Sequence, residues 1–87
     1  MLYEVTKDDL DLKYFVTSQK SETTKQDLYG IVVEMFSEGI FQESEDTGFI
    51  TNCHHHAKNL VEILARNSIT PLTLLSIVDD ILECNKV

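Results

Sequence analysis

The sequence is poor in the residues that break up a chain. One proline, Pro71, and three glycines, Gly30, Gly39 and Gly48, punctuate all 87 residues. So few breakers favour long helices over many short strands. No apolar run approaches the ~20 residues that a membrane-spanning helix needs. The start, MLYEVTKDD, turns acidic within four residues, where a signal peptide would run basic and then apolar. Cysteine is scarce as well. Cys53 and Cys84 form neither a disulfide framework nor a CxxC pair, and two lone thiols act most often as small buried hydrophobes. These absences point to a cytoplasmic protein.

Positive charge is the other deficit. Seven basic residues stand against fifteen acidic ones, a formal net charge of -8. Such a surface repels phosphate backbones and anionic membranes, which argues against direct nucleic-acid or membrane binding. A basic protein face would be drawn to it. Phosphate-binding loops, GxGxxG and HExxH are all missing, so no cofactor is implied.

What is present suffices for one core. Hydrophobic residues make up 43% of the chain, and no linker or repeat divides it, so residues 1–87 read as a single domain. Helical spacing recurs along it. Thr70 and Pro71 open a helix running to Cys84, with an Ile69–Leu74 staple and a stripe of Leu74, Leu75, Ile77, Val78, Ile81 and Leu82. A second helix is predicted over residues 50–67, on a stripe of Ile50, Cys53, Ala57, Leu60 and Leu64. A third is predicted over 21–38, where Leu28, Ile31, Val32 and Met35 align and Gly39 supplies a left-handed end. Gly30 inside it marks either a close helix–helix contact or a tolerated poor helix former.

Residues 7–18 carry two signals. Thr6 to Asp9 has capping-box spacing, yet Leu10, Leu12, Tyr14 and Val16 alternate with Asp11, Lys13, Phe15 and Thr17 as in a strand. With a helix there, the expected fold is all-α, a small four-helix bundle whose first helix could instead be extended. Gln42 to Gly48 then forms an acidic loop between two helices.

No catalytic set emerges. His54, His55 and His56 point about 100° apart on a helix and cannot converge on one metal ion; Cys53 and His56, three apart, could share a face, but two ligands from elsewhere would be required. Whether they bind metal or sense pH is left open, with border histidines the plainer reading. No carboxylate sits in an apolar setting that would tune it for acid–base work. A helix-turn-helix reading of residues 65–78 fails because the would-be reading helix offers Leu72, Thr73, Ser76, Asp79 and Asp80 in place of basic and amide side chains.

The expectation is therefore binding without catalysis. Phe41 and Phe49 bracket Glu43, Glu45 and Asp46, an aromatic pair among carboxylates of the kind that anchors a basic partner. Asp79, Asp80 and Glu83 add a second acidic group. Size, charge and expected helicity together suit an inhibitor, or an immunity- or antitoxin-type protein, that neutralises a basic toxin or nuclease. A helical adaptor or homodimer is the alternative, because the apolar face of the last helix is wide.

Overall fold

The computed structural model describes residues 2–84, with side chains over residues 3–81. It overturns the four-helix bundle. Four strands precede two helices: β1 (Leu2–Lys7), β2 (Leu10–Lys20), β3 (Asp27–Ser37), β4 (Ile40–Thr51), α1 (His54–Arg66) and α2 (Pro71–Cys84). The strands form an antiparallel meander in the order β1-β2-β3-β4. Both helices pack on one face, α1 chiefly over β2 and equally over its neighbours β1 and β3, and α2 chiefly over β4.

Turn chemistry explains the strands. Asp8 and Asp9, read as the first turn of a helix, have φ of 51° and 68° and form the two-residue turn between β1 and β2. Glu38 and Gly39, with φ of 53° and 80°, do the same between β3 and β4. Two successive positive φ values give the mirror-image turn whose twist matches that of paired strands. Gly39 is thus left-handed as expected, but in a hairpin and not at a helix end.

The alternation in residues 10–17 is therefore the true signal, and residues 7–18 are not a helix. Leu12 and Tyr14 point to the helices and are buried, while Asp11, Lys13 and Phe15 point away. β3 misled for a different reason. It is apolar on both faces, Ile31, Val33 and Met35 on one and Leu28, Val32 and Phe36 on the other, and so contains helical spacing by accident. Gly30 marks a close approach of strands. A Cβ there would collide with the Gly48 carbonyl of β4 and would lie 3.2 Å from the Thr17 hydroxyl.

Residues 42–48 are not a loop either. They lie within β4, which slips register against β3 at three places. At one of these slips Gly48 has φ 70°, and the Thr47 hydroxyl, in place of a backbone carbonyl, accepts the Ile31 N–H at 3.0 Å.

The two C-terminal helices were legible. α1 starts later than expected, because Ile50 and Thr51 end β4, but its buried Ala57, Leu60, Val61 and Leu64 are the predicted stripe with Val61 drawn in. It closes on Ser68 with φ 52°. The Ser68 N–H donates to the Ala65 carbonyl and the Ile69 N–H to the Leu64 carbonyl, each at 3.1 Å, which satisfies two terminal acceptors. Pro71 opens α2, whose Leu74 and Val78 complete the core with Leu12, Tyr14, Ile31, Val33, Leu60, Val61 and Leu64. The Tyr14 hydroxyl, at the centre of that core, donates to the Ile69 carbonyl at 2.9 Å and ties the helix connection to the sheet.

Candidate functional site

Placing both helices on one side leaves the other face of the sheet without a covering layer among the described residues. Cross-strand partners share a face, so the register assigns it. β1 contributes Glu4 and Thr6, and β2 contributes Asp11, Lys13 and Phe15. β3 adds Val32, Glu34 and Phe36, and β4 adds Phe41, Ser44, Asp46 and Phe49. Phe36 and Phe41 face each other and meet edge to face, ring centroids 5.7 Å apart. The Lys13 ammonium lies 4.9 Å from the Phe36 ring centre, a cation held by an aromatic face. Among the described residues of this face Lys13 is the one cation, beside the carboxylates of Glu4, Asp11, Glu34 and Asp46. Phe41 and Phe49 remain 53% and 46% exposed, toward opposite ends of β4 with Ser44 and Asp46 between them.

The residues expected to meet a partner divide between two sides. Phe41, Asp46 and Phe49 share this outer face but are spread along β4, opposite Phe36, Val32 and Gly30 respectively. Glu43 and Glu45 oppose Met35 and Val33 and therefore lie on the helix side of β4, half-buried. Asp79 and Asp80 are exposed on α2, which packs on that same side. The Glu83 side chain lies outside the described residues. Phe41 and Phe49 are strand residues and do not bracket a loop.

Sequence reading missed Phe15, Val32, Glu34, Phe36 and Lys13. Their signal was the second half of each alternation. Once residues 10–17 form a strand, Asp11, Lys13 and Phe15 must share a face.

Other candidates carry less. His54, His55 and His56 form the exposed first turn of α1, and His54 meets the Tyr29 ring edge-on at 5.2 Å. Cys53 precedes the helix, half-buried, as a free thiol. Among the described residues no three His, Cys, Asp or Glu side chains converge as a metal site would require. A groove of about 620 Å3 runs between α1, α2 and the end of β4, over Ile50, Leu60, Ile63 and Ile81, with His56 and Asn59 at its rim. No helix is long and apolar enough to cross a membrane.

A family model spans residues 2–84, and so takes in all four strands and both helices. The chain belongs to DUF6514, a family of unknown function. No curated protein and no solved structure matches it. In this DUF6514 chain the sheet face that the helices leave open carries the exposed Phe41 and Phe49.

Proposed function

We propose that this chain is a binding protein, without catalytic activity, that docks the outer face of its sheet on a basic protein surface. The observation that supports this is the set of phenylalanines on that face, Phe15, Phe36, Phe41 and Phe49, which neither helix covers among the described residues and which stand among carboxylates. Buried aromatic anchors with a charged rim supply affinity at the centre and steering at the edge. Lys13 over Phe36 is the internal example of the contact a partner's arginine or lysine makes with Phe41 or Phe49. Carboxylates arrayed on this face of the sheet occupy the place of phosphates. This fits an inhibitor, or an immunity- or antitoxin-type protein, that covers a toxin or nuclease in the cytoplasm and has no contact with nucleic acid itself.

Titration of the labelled full chain with a peptide of alternating arginine and leucine, followed by NMR, tests this reading. Shift changes should map to Phe15, Val32, Phe36, Phe41 and Phe49, and should be absent with a glutamate–leucine peptide. Changes confined to Asp79 and Asp80 on α2, or equal binding of both peptides, would refute it.

A further inference from the structure

The sheet has two edges, and they are protected unequally. At β4 the register slips three times. Its backbone is also occupied by its own side chains. The Asp46 N–H donates to the Glu45 carboxylate at 3.1 Å and the Gly48 N–H to the Asp46 carboxylate at 2.8 Å, while the Gln42 amide donates to the Ile40 carbonyl at 3.2 Å. Bulges, charges and self-capping are the devices that keep an edge from pairing. β1 has neither a bulge nor a self-capping side chain, and its charges are limited to Glu4 and Lys7. It runs from Leu2 to Lys7 in unbroken register with β2, and no side-chain hydrogen bond reaches its backbone among the described residues. An open groove of about 370 Å3 lies beside it, formed by Tyr3 and Val5 with Glu62, Ala65 and Arg66 of α1.

The sequence of β1 is complementary to itself in one antiparallel register. Two copies related by a two-fold axis perpendicular to the sheet pair about a single residue, and partners share a face. Centring on Glu4 sets Glu4 against Glu4, and centring on Thr6 sets Glu4 against Asp8. Centring on Val5 sets Val5 against Val5, Glu4 against Thr6, and Lys7 against Tyr3. In that last register no like charges are opposed. Lys7 also arrives on the helix side, where the Tyr3 hydroxyl donates to the Glu62 carboxylate at 2.8 Å. Each chain then offers an ammonium to a carboxylate of the other.

We propose that β1 pairs with β1 of a second copy, centred on Val5, joining two sheets into one and closing the Tyr3–Glu62 groove between the two α1 helices. The occupant of this edge is a second copy because the charge match is reciprocal, Lys7 to Glu62 in both directions. The two outer faces then lie on the same side of one continuous sheet, so the dimer presents their phenylalanines twice. This places self-association at β1, not at the apolar face of α2. It does not depend on what the outer face binds.

Sedimentation velocity on the full chain at micromolar concentrations tests the proposal, with twice the 9.9 kDa chain mass expected. Lys7→Glu, at an exposed position, should give a folded monomer, and Lys7→Glu combined with Glu62→Lys should restore the dimer. Facing residues of antiparallel strands have Cα atoms about 4.5–5.5 Å apart, within disulfide range. Val5→Cys in a Cys53→Ser/Cys84→Ser background should therefore cross-link on oxidation. A wild-type monomer, a dimer indifferent to Lys7→Glu, a double variant that stays monomeric, or no cross-link at position 5 would each overturn the β1 interface.

Discussion

The Phe41 ring stands edge-on to Phe36 across the β3–β4 pair, with 5.7 Å between centroids, while half of its own surface faces water. Phe41 thus belongs to the outer face of the sheet and is not needed to close the core. Phe41→Ala should cost no more than about 1 kcal/mol, the scale of an aromatic pair with little burial. Leu64→Ala, at a fully buried position, should cost about 2–5 kcal/mol. Urea unfolding of the two variants checks the contrast. A large loss for Phe41→Ala would mean that the outer face is structural and not held for a partner.

Association through the outer face should be sensitive to salt. The Debye length shrinks from about 30 Å at 0.01 M to about 8 Å at 0.15 M ionic strength. The affinity for an arginine–leucine peptide should therefore fall across that range. Asp46→Asn combined with Glu34→Gln should flatten the dependence, whereas Asp79→Asn with Asp80→Asn, on the helix side, should leave it steep. Isothermal titration at several salt concentrations reads all three. If the α2 pair flattens the curve and the sheet pair does not, the binding face lies on the helices.

Gly30 and Gly48 are coupled. A Cβ at position 30 meets the Gly48 carbonyl, and Gly48 itself has φ 70°. Gly30→Ala should therefore destabilise by about 1–3 kcal/mol through overpacking, although alanine normally improves a strand over glycine. Gly39, also at positive φ but with open space around it, should accept asparagine at small cost, because asparagine tolerates the left-handed region. Thermal unfolding of Gly30→Ala and Gly39→Asn separates a steric requirement from a purely conformational one.

The legible parts of the sequence and the misread ones differ in a physical way. α2 was readable because Thr70, Pro71 and the Leu74–Val78 stripe agree at every level: cap, first turn and buried face. Residues 10–17 were readable too, but Lys7, Asp8 and Asp9 imitate a first helical turn with their charges, while their role is two positive φ values in a hairpin. β3 hid its period because apolar side chains on both faces satisfy every template at once. The pairing of Phe41 and Phe49 with Asp46 was visible in the chain. That Glu43 and Glu45 point the other way was not, since it depends on the alternation of a strand interrupted by bulges. The partners contributed by β2 and β3 come from cross-strand register, which no local window contains.

Burial pushes the Tyr14 hydroxyl up to about 12 from its usual value of 10.0. A group whose folded value is raised contributes stability that is fully present below its unfolded value and is lost as pH rises through the folded one. The loss attributable to Tyr14 thus falls between pH 10.0 and about 12. Tyr3 is raised as well, first by its hydrogen bond to Glu62 and then by desolvation and the nearby carboxylate charge. Tyr14→Phe should remove the hydrogen bond to Ile69, costing about 0.5–1.5 kcal/mol at neutral pH, and should lessen the alkaline loss. Tyrosinate absorbance during alkaline titration should show Tyr14 ionising last, together with unfolding. Early ionisation of Tyr14 without loss of structure would contradict its place at the centre of the core.

Asp8 and Asp9 hold the β1–β2 turn at a cost that can be recovered. Non-glycine residues in the left-handed region pay of order 1–2 kcal/mol, less for aspartate and asparagine, whose short polar side chains bond locally. Two adjacent carboxylates add repulsion. Asp8→Asn with Asp9→Gly gives the asparagine–glycine pair that this turn favours most. The double variant should gain about 0.5–1 kcal/mol in urea unfolding, with the register of Lys7 against Leu10 unchanged. The gain should persist at high salt, where charge repulsion is screened but backbone strain is not. If it vanishes there, repulsion and not the positive φ of Asp9 is what burdens the hairpin.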